Sequence, residues 1–188
     1  MTADARNYRA EDTLRNGIVI TIRAVRSDDR ERLSNAFAKL ERESVYTRFF
    51  TYKKALSATE LGHIDTMDFV RDVMLVVTTR PDGDEIVIAS ARYVANDTDE
   101  EGVSAEVAFT VEEDYQGLGI AGRMLEHLIA IARQGGIARF VADVLPGNKA
   151  MLAVFARAGL PLHKRIESGV VNVEIDILPT APDRSAQV

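Results

Sequence analysis

Two stretches of this sequence hold residue types that could do chemistry. The first is Gln116-Gly117-Leu118-Gly119-Ile120-Ala121-Gly122, which follows a short acidic loop and opens a long amphipathic pattern. Small residues there let backbone N–H groups converge. The first turn of a helix adds unpaired N–H groups and the positive end of the helix dipole. Together they make an anion site suited to a pyrophosphate; the plain alternative is a glycine-rich helix start with no ligand. The second stretch is Val103 to Val111, an apolar run interrupted by Glu106. An acid is disfavoured in mid-strand by propensity, so it is either a solvent-facing edge position or a group with a task. Alternation places Glu106 and Ala108 on one face and Val107 and Phe109 on the other. A carboxylate so placed can accept a proton from a nucleophile. Glu112, Glu113 and Asp114, at the loop, are the runners-up for that role; they are expected to guide a cationic substrate or to stay solvated.

Two ligand families compete for the loop. Gly117, Gly119 and Gly122 spell GxGxxG, and Asp143 lies about 20 residues further on, as a dinucleotide fingerprint asks. Against that, Glu112 to Gln116 separate the strand from the first glycine, where dinucleotide folds turn almost at once. The preceding strands also read as antiparallel. A GxxxxGK[ST] phosphate loop is absent. The second family reads Gln116, Gly119 and Ala121 as Q-x-x-G-x-A ahead of a helix.

The composition excludes several other classes. The 188 residues contain no cysteine, which rules out a disulfide framework, a cysteine nucleophile and a thiolate metal site. Three scattered histidines, His63, His127 and His163, argue against a metal centre. A net charge of −6 and a pI near 5.2 disfavour nucleic acid as the main partner. No apolar run nears the ~20 residues of a membrane span, and the polar N-terminal stretch has no signal-peptide core. The expected location is the cytoplasm, with no membrane partner.

The elements that must position these residues can be read from periodicity. Gly17 to Val25 is a β-branched strand. Leu33, Phe37 and Leu40 mark a helix over residues 28 to 41, and Ser57 with Glu60 is a capping-box pattern ahead of a second short helix. Asp72 to Thr79, Ile86 to Ala95 and Val103 to Val111 read as an antiparallel meander, with an acidic loop at Asn96 to Gly102. Gly117 to Arg133 reads as a long helix with an apolar stripe, followed by a strand at Ile137 to Val144. Asn148 to Ala158 is a further helix, and Leu162 to Ile177 a closing hairpin. The order β α α β β β α β α β β predicts an α+β fold: a central mixed, mostly antiparallel sheet with helices on both faces. Residues 17–178 are expected to form one domain, between flexible tails at 1–16 and 179–188.

Taken together, Q-x-x-G-x-A and its flanking strand and helix resemble the GNAT superfamily of N-acetyltransferases over about residues 17 to 177. Ile22-Arg23, the stretch E-S-x-Y-x-R-F-F at 43 to 50, and Ala105-Glu106-Val107-Ala108-Phe109 running into the loop resemble the catalytic domain of bacterial Pat-type protein lysine acetyltransferases. The resemblance implies acetyl-CoA as cosubstrate. Phe109, Thr110 and Val111 would pair with the pantetheine arm like an added strand. The N–H groups of Leu118, Gly119, Ile120, Ala121 and Gly122 would hold the pyrophosphate, Gln116 and Gly117 would belong to the same coenzyme site, and Asn148 would touch the coenzyme across the cleft or simply cap its helix.

The resemblance also implies an acceptor amine, most directly the ε-amino group of a lysine on a protein such as an acyl-CoA synthetase. Roughly 1 in 2,500 lysines is neutral at pH 7, a penalty of about 4–5 kcal/mol, so a base is needed. Glu106 matches the family's general base, and its apolar neighbours are expected to desolvate it. Phe155 stands where a tyrosine often serves as general acid and cannot donate a proton. Two alternatives remain: an acetyltransferase for a small amine, and a non-catalytic acyl-CoA sensor. A protein acceptor predicts an open groove and a small amine a closed pocket.

Overall fold

Strand-forming segments build one eight-stranded sheet in the computed structural model, in the order β1-β2-β3-β4-β5-β6-β8-β7. The structure describes residues 4–49, 54–99 and 102–178. The strands are β1 (Arg9–Thr13), β2 (Val19–Ala24), β3 (Asp72–Thr79), β4 (Ile86–Asp99), β5 (Gly102–Val111), β6 (Ile137–Val144), β7 (Leu162–Glu167) and β8 (Val170–Asp176). Every neighbouring pair is antiparallel except β5 and β6, which are parallel. Among the described residues the helices are α1 (Arg30–Lys39), α2 (Arg42–Phe49), α3 (Ala58–Gly62), α4 (Ile120–Gln134) and α5 (Lys149–Ala156). The long α4 crosses between the parallel pair, as a parallel connection requires.

Helices cover both faces. Phe155 of α5 meets Phe109 edge to face at 6.0 Å between ring centroids. Leu33 and Phe37 of α1 share a cavity wall with Ala108 and Thr110. Neighbouring residues on a strand point to opposite faces, so α5 and α1 lie on opposite sides of β5. The mixed, mostly antiparallel architecture expected from the sequence is the one observed. No helix among the described residues is long and apolar enough to cross a membrane.

Three expectations need correction, and one helix has no counterpart among them. Residues 9–13, expected inside a flexible tail, form β1 and pair with β2 from Arg9↔Arg23 to Thr13↔Val19. Their polar sequence hid the strand because an outermost strand buries little; β1 alternates between exposed and half-buried residues. Arg42–Phe49, part of the E-S-x-Y-x-R-F-F stretch, is helix α2, whose weak amphipathicity gave no clear period. The acidic loop at 96–102 largely disappears, because β4 runs on to Asp99 and β5 begins at Gly102. Finally, α4 begins at Ile120, since Gly117 and Gly119 take the left-handed backbone that a helix excludes. Phe50 and the tail at 179–188 lie outside the described residues.

A buried ion network anchors β2 to α1 and β4. Arg23 is 2% exposed and donates to both carboxylate oxygens of Asp29 at 2.6 and 2.7 Å, and to Glu85 at 2.5 Å. Burial alone would raise the Asp29 carboxyl; the Arg23 guanidinium and the Arg26 N–H outweigh it and hold it below its ordinary value. The hydrogen bond from Arg23 likewise lowers Glu85. A depressed folded value means the stabilisation is complete above the unfolded value of about 4 and fades as pH falls through the folded one. Asp29→Ala should therefore cost about 3–5 kcal/mol at neutral pH, because it leaves Arg23 buried without its main partner. Urea unfolding should show this loss in full at pH 7 and a loss that shrinks steadily as pH falls below about 4; a loss that does not change with pH down to the acid unfolding limit would contradict the network's role.

Candidate functional site

The site begins where two strands part. The parallel ladder between β5 and β6 runs from Val103↔Ile137 to Glu106↔Val141 and stops. Beyond that point β5 stays paired only with β4, to Ala89↔Val111, and β6 only with β8, to Val144↔Val171. The facing edges of Val107–Val111 and Ala142–Val144 therefore have no ladder partner. A row of free backbone groups between two strands is a slot for an extended amide-bearing chain. Phe109, Thr110 and Val111 lie along that slot.

At its lower end is the glycine loop. Gly117 and Gly119 have φ of +73° and +87°, which turns the chain sharply into α4. Gly119 is the N-cap and supplies no side-chain cap, so the first N–H groups of α4 are not covered by a protein side chain. A Cβ built at Gly117, Gly119 or Gly122 meets nothing within 4 Å, so the space in front of the helix is open. An uncapped helix start facing open space fits a diphosphate. Leu118, Ile120 and Ala121 complete the turn; Ile120 is buried and anchors it. Gln116 does something the sequence did not reveal: its Nε2 donates to the Val111 carbonyl at 3.1 Å, tying the loop to the end of β5.

Glu106 lies at the fork itself, opposite Val94 on β4 and Val141 on β6. The expected desolvation is not found. Glu106 is exposed, because this end of the face is open; Val94 beside it is also 39% exposed. Further along the same face lies a cavity of about 380 Å³ between α1, α3 and the sheet. Its walls are mostly apolar, including Leu33, Phe37, Ile64 and Met74. Glu112 also lines it and is 7% exposed. Glu113 is half-buried just past the end of α1; its Oε1 accepts from the Glu41 N–H at 3.1 Å and its Oε2, like that of Glu112, is buried with no partner among the described residues, while Asp114 is exposed.

Sequence reasoning missed a polar cluster at the cavity wall. Arg92 donates twice to Asp72, at 2.7 Å each, and His63 Nε2 donates to Asp72 at 2.6 Å. In sequence His63 is one of three scattered histidines; no local spacing links it to Asp72 and Arg92, which meet only through β3–β4 pairing. No metal-binding group of His, Asp or Glu occurs among the described residues.

Across the slot, Asn148 caps α5, its Oδ1 accepting from the Met151 N–H at 3.1 Å. Phe155 is 2% exposed and packs behind Phe109. It is a wall of the slot. Phe155→Leu should lower stability by about 1–2 kcal/mol and retain turnover within a fewfold. A loss of several hundredfold with normal coenzyme binding would mean the ring contributes to chemistry. Asp143, the acid of the dinucleotide fingerprint, accepts from Asn172 Nδ2 in the β6–β8 ladder. That bond, with the antiparallel sheet ahead of the loop, removes the support for a dinucleotide site.

Comparison with known proteins agrees with this geometry. The model of the GNAT acetyltransferase family matches residues 37–160. Acetyltransferase Pat of Mycolicibacterium smegmatis is 36% identical over 166 residues, covering 88% of this chain and 48% of that protein. The chain thus spans about half the length of that relative. Acetyltransferase PA5475 of Pseudomonas aeruginosa is 31% identical over 140 residues, covering 74% of each. The crystal structure of the GNAT domain of S. lividans PAT superposes with a TM-score of 0.78 at 38% identity, covering 89% of this chain and 96% of that one.

Proposed function

The chain belongs to the GNAT acetyltransferase family, and from that premise we propose that it transfers the acetyl group of acetyl-CoA to the ε-amino group of a lysine on a protein. An acyl-CoA synthetase is the substrate class we favour, and the cytoplasm the location. The observation that carries the reading is the parting of β5 and β6 beside an uncapped, glycine-lined helix start. The likeness to Acetyltransferase Pat supports the choice of acceptor.

Acetyl-CoA supplies the activated thioester. The N–H groups at the start of α4 hold its diphosphate, with Gly117, Gly119 and Gly122 keeping the approach clear. The free edge of Phe109–Val111 aligns the pantetheine arm, and Phe109, backed by Phe155, fixes the slot's width. Asn148 orients α5 on the far side. At the fork, Glu106 takes the proton of the incoming ammonium as its nitrogen attacks. An exposed carboxylate suits a macromolecular acceptor, which brings its own surface to exclude water. The leaving thiolate needs no side-chain acid, since a thiol pKa near ~8.5 lets it depart unprotonated.

A small amine is the second reading, favoured by the cavity beneath α1 and α3. Two measurements test the proposal. Acetyl-CoA at 100-fold over its Kd should raise Tm by about 5–10 °C, with NAD and ATP far less effective. Thiol release should then appear with purified acyl-CoA synthetases and not with small amines. A Tm shift with NAD alone would overturn the coenzyme, and turnover of small amines only would overturn the acceptor.

A further inference from the structure

The cavity on the α1 face holds a carboxylate that neither the fork nor the cradle uses. Glu112 follows the last residue of β5 and is 7% exposed. Its Oε1 is 3.6 Å from Lys39 Nζ at the end of α1. Its Oε2 is buried with no hydrogen-bond partner among the described residues. An unsatisfied buried carboxylate oxygen is costly, and native structures rarely keep one without a reason. The cavity it lines is walled mainly by apolar residues, Leu33, Phe37, Leu40 and Ile88 among them, and no described side chain donates to this oxygen. Lys39 is itself 56% exposed and approaches only the other oxygen. A donor brought through the cavity would complete it, and an acidic, largely apolar site takes a cationic group on an aliphatic stem.

We infer that Glu112 is an acceptor-recognition residue that binds a second cation of the substrate, distinct from the lysine nitrogen that is acetylated. Glu106 and Glu112 project to the same side of the β5 chain, six residues apart, which is about 20 Å in extended backbone. One ammonium cannot serve both. An acceptor segment lying along β5 also advances about 3.3 Å per residue. With its lysine at Glu106, it brings a side chain a few residues away to Glu112. Arginine fits best, because its planar fork satisfies both carboxylate oxygens at once. The preferred acceptor is thus a lysine with a basic residue, arginine above all, a few positions along the same segment. This inference rests on the protein-lysine reading proposed above.

The test uses capped peptides with one lysine, either without arginine or with a single arginine placed two to six residues to one side or the other. Wild type should prefer at least one arginine register over the arginine-free peptide by tenfold or more in kcat/KM, through KM. Glu112→Gln should lose that preference, Glu112→Asp should keep part of it, and Lys39→Gln should keep or sharpen it, since it removes a competing cation. An unchanged acetyl-CoA-induced Tm shift would show that each variant is folded. A preference that survives Glu112→Gln, or is lost equally in Lys39→Gln, overturns the inference and leaves the lysine reading standing. Acetylation of none of the peptides, with acetyl-CoA still bound, overturns the lysine reading and this inference with it.

Discussion

Glu106→Gln lowers kcat by about 10²- to 10⁴-fold at neutral pH and leaves coenzyme affinity nearly unchanged: this is the expected result at the fork. The reaction must remove a proton from an ammonium whose pKa lies near ~10.4, well above neutrality. Glu106 is the last β5 residue paired with β6, so its side chain stands where the slot opens. Its exposure leaves it accessible to an incoming lysine. Glutamine keeps the size and shape and removes the basicity. Activity of the variant should recover partly at high pH, where more of the acceptor is already neutral. Stopped-flow or steady-state thiol release between pH 7 and 10 would read both effects. Retention of more than a third of wild-type kcat at pH 7 would place the base elsewhere, with Glu112 and Glu113 the next carboxylates to change.

The second large effect is at the cradle. Gly119→Asp should abolish coenzyme binding, because it places a negative charge among the N–H groups that would hold a diphosphate. Gly119 has φ of +87°, so any side chain there also strains the backbone. Gly122→Asp separates the two causes. Its position is helical, a Cβ there meets nothing within 4 Å, and an acid in the first turn of a helix is favourable. Both variants should lose binding by calorimetry, while Gly122→Asp should keep or raise the Tm of the free protein. Wild-type affinity in a folded Gly122→Asp variant would remove the diphosphate from this helix start.

The parts legible in the sequence were those with local causes. Alternation and β-branched runs marked β3, β5 and β6, with β3 and β6 at the observed bounds. The apolar stripe of Leu125, Leu128 and Ala132 marked α4, and Ser57 with Glu60 forms the capping box expected of α3. The glycines of the loop were visible because a left-handed turn needs that residue type.

What only the tertiary structure decided depends on neighbours far along the chain. β1 is a strand because β2 offers it an edge, not because of any pattern in Arg9–Thr13. Glu106 stays exposed because no helix among the described residues covers Val94 beside it, whereas alternation within β5 reveals only which face it takes. Glu112 looks like one of three loop acids in sequence, yet of the three it is the one that lines the cavity beside α1. The parting of β5 from β6 has no residue signature either. It is visible only in the pairing: past Glu106, β5 continues with β4 and β6 with β8, each following a neighbour distant in sequence from the fork. Secondary structure follows from short-range sterics and periodicity, but the depth of a carboxylate and the width of a slot are set by long-range packing.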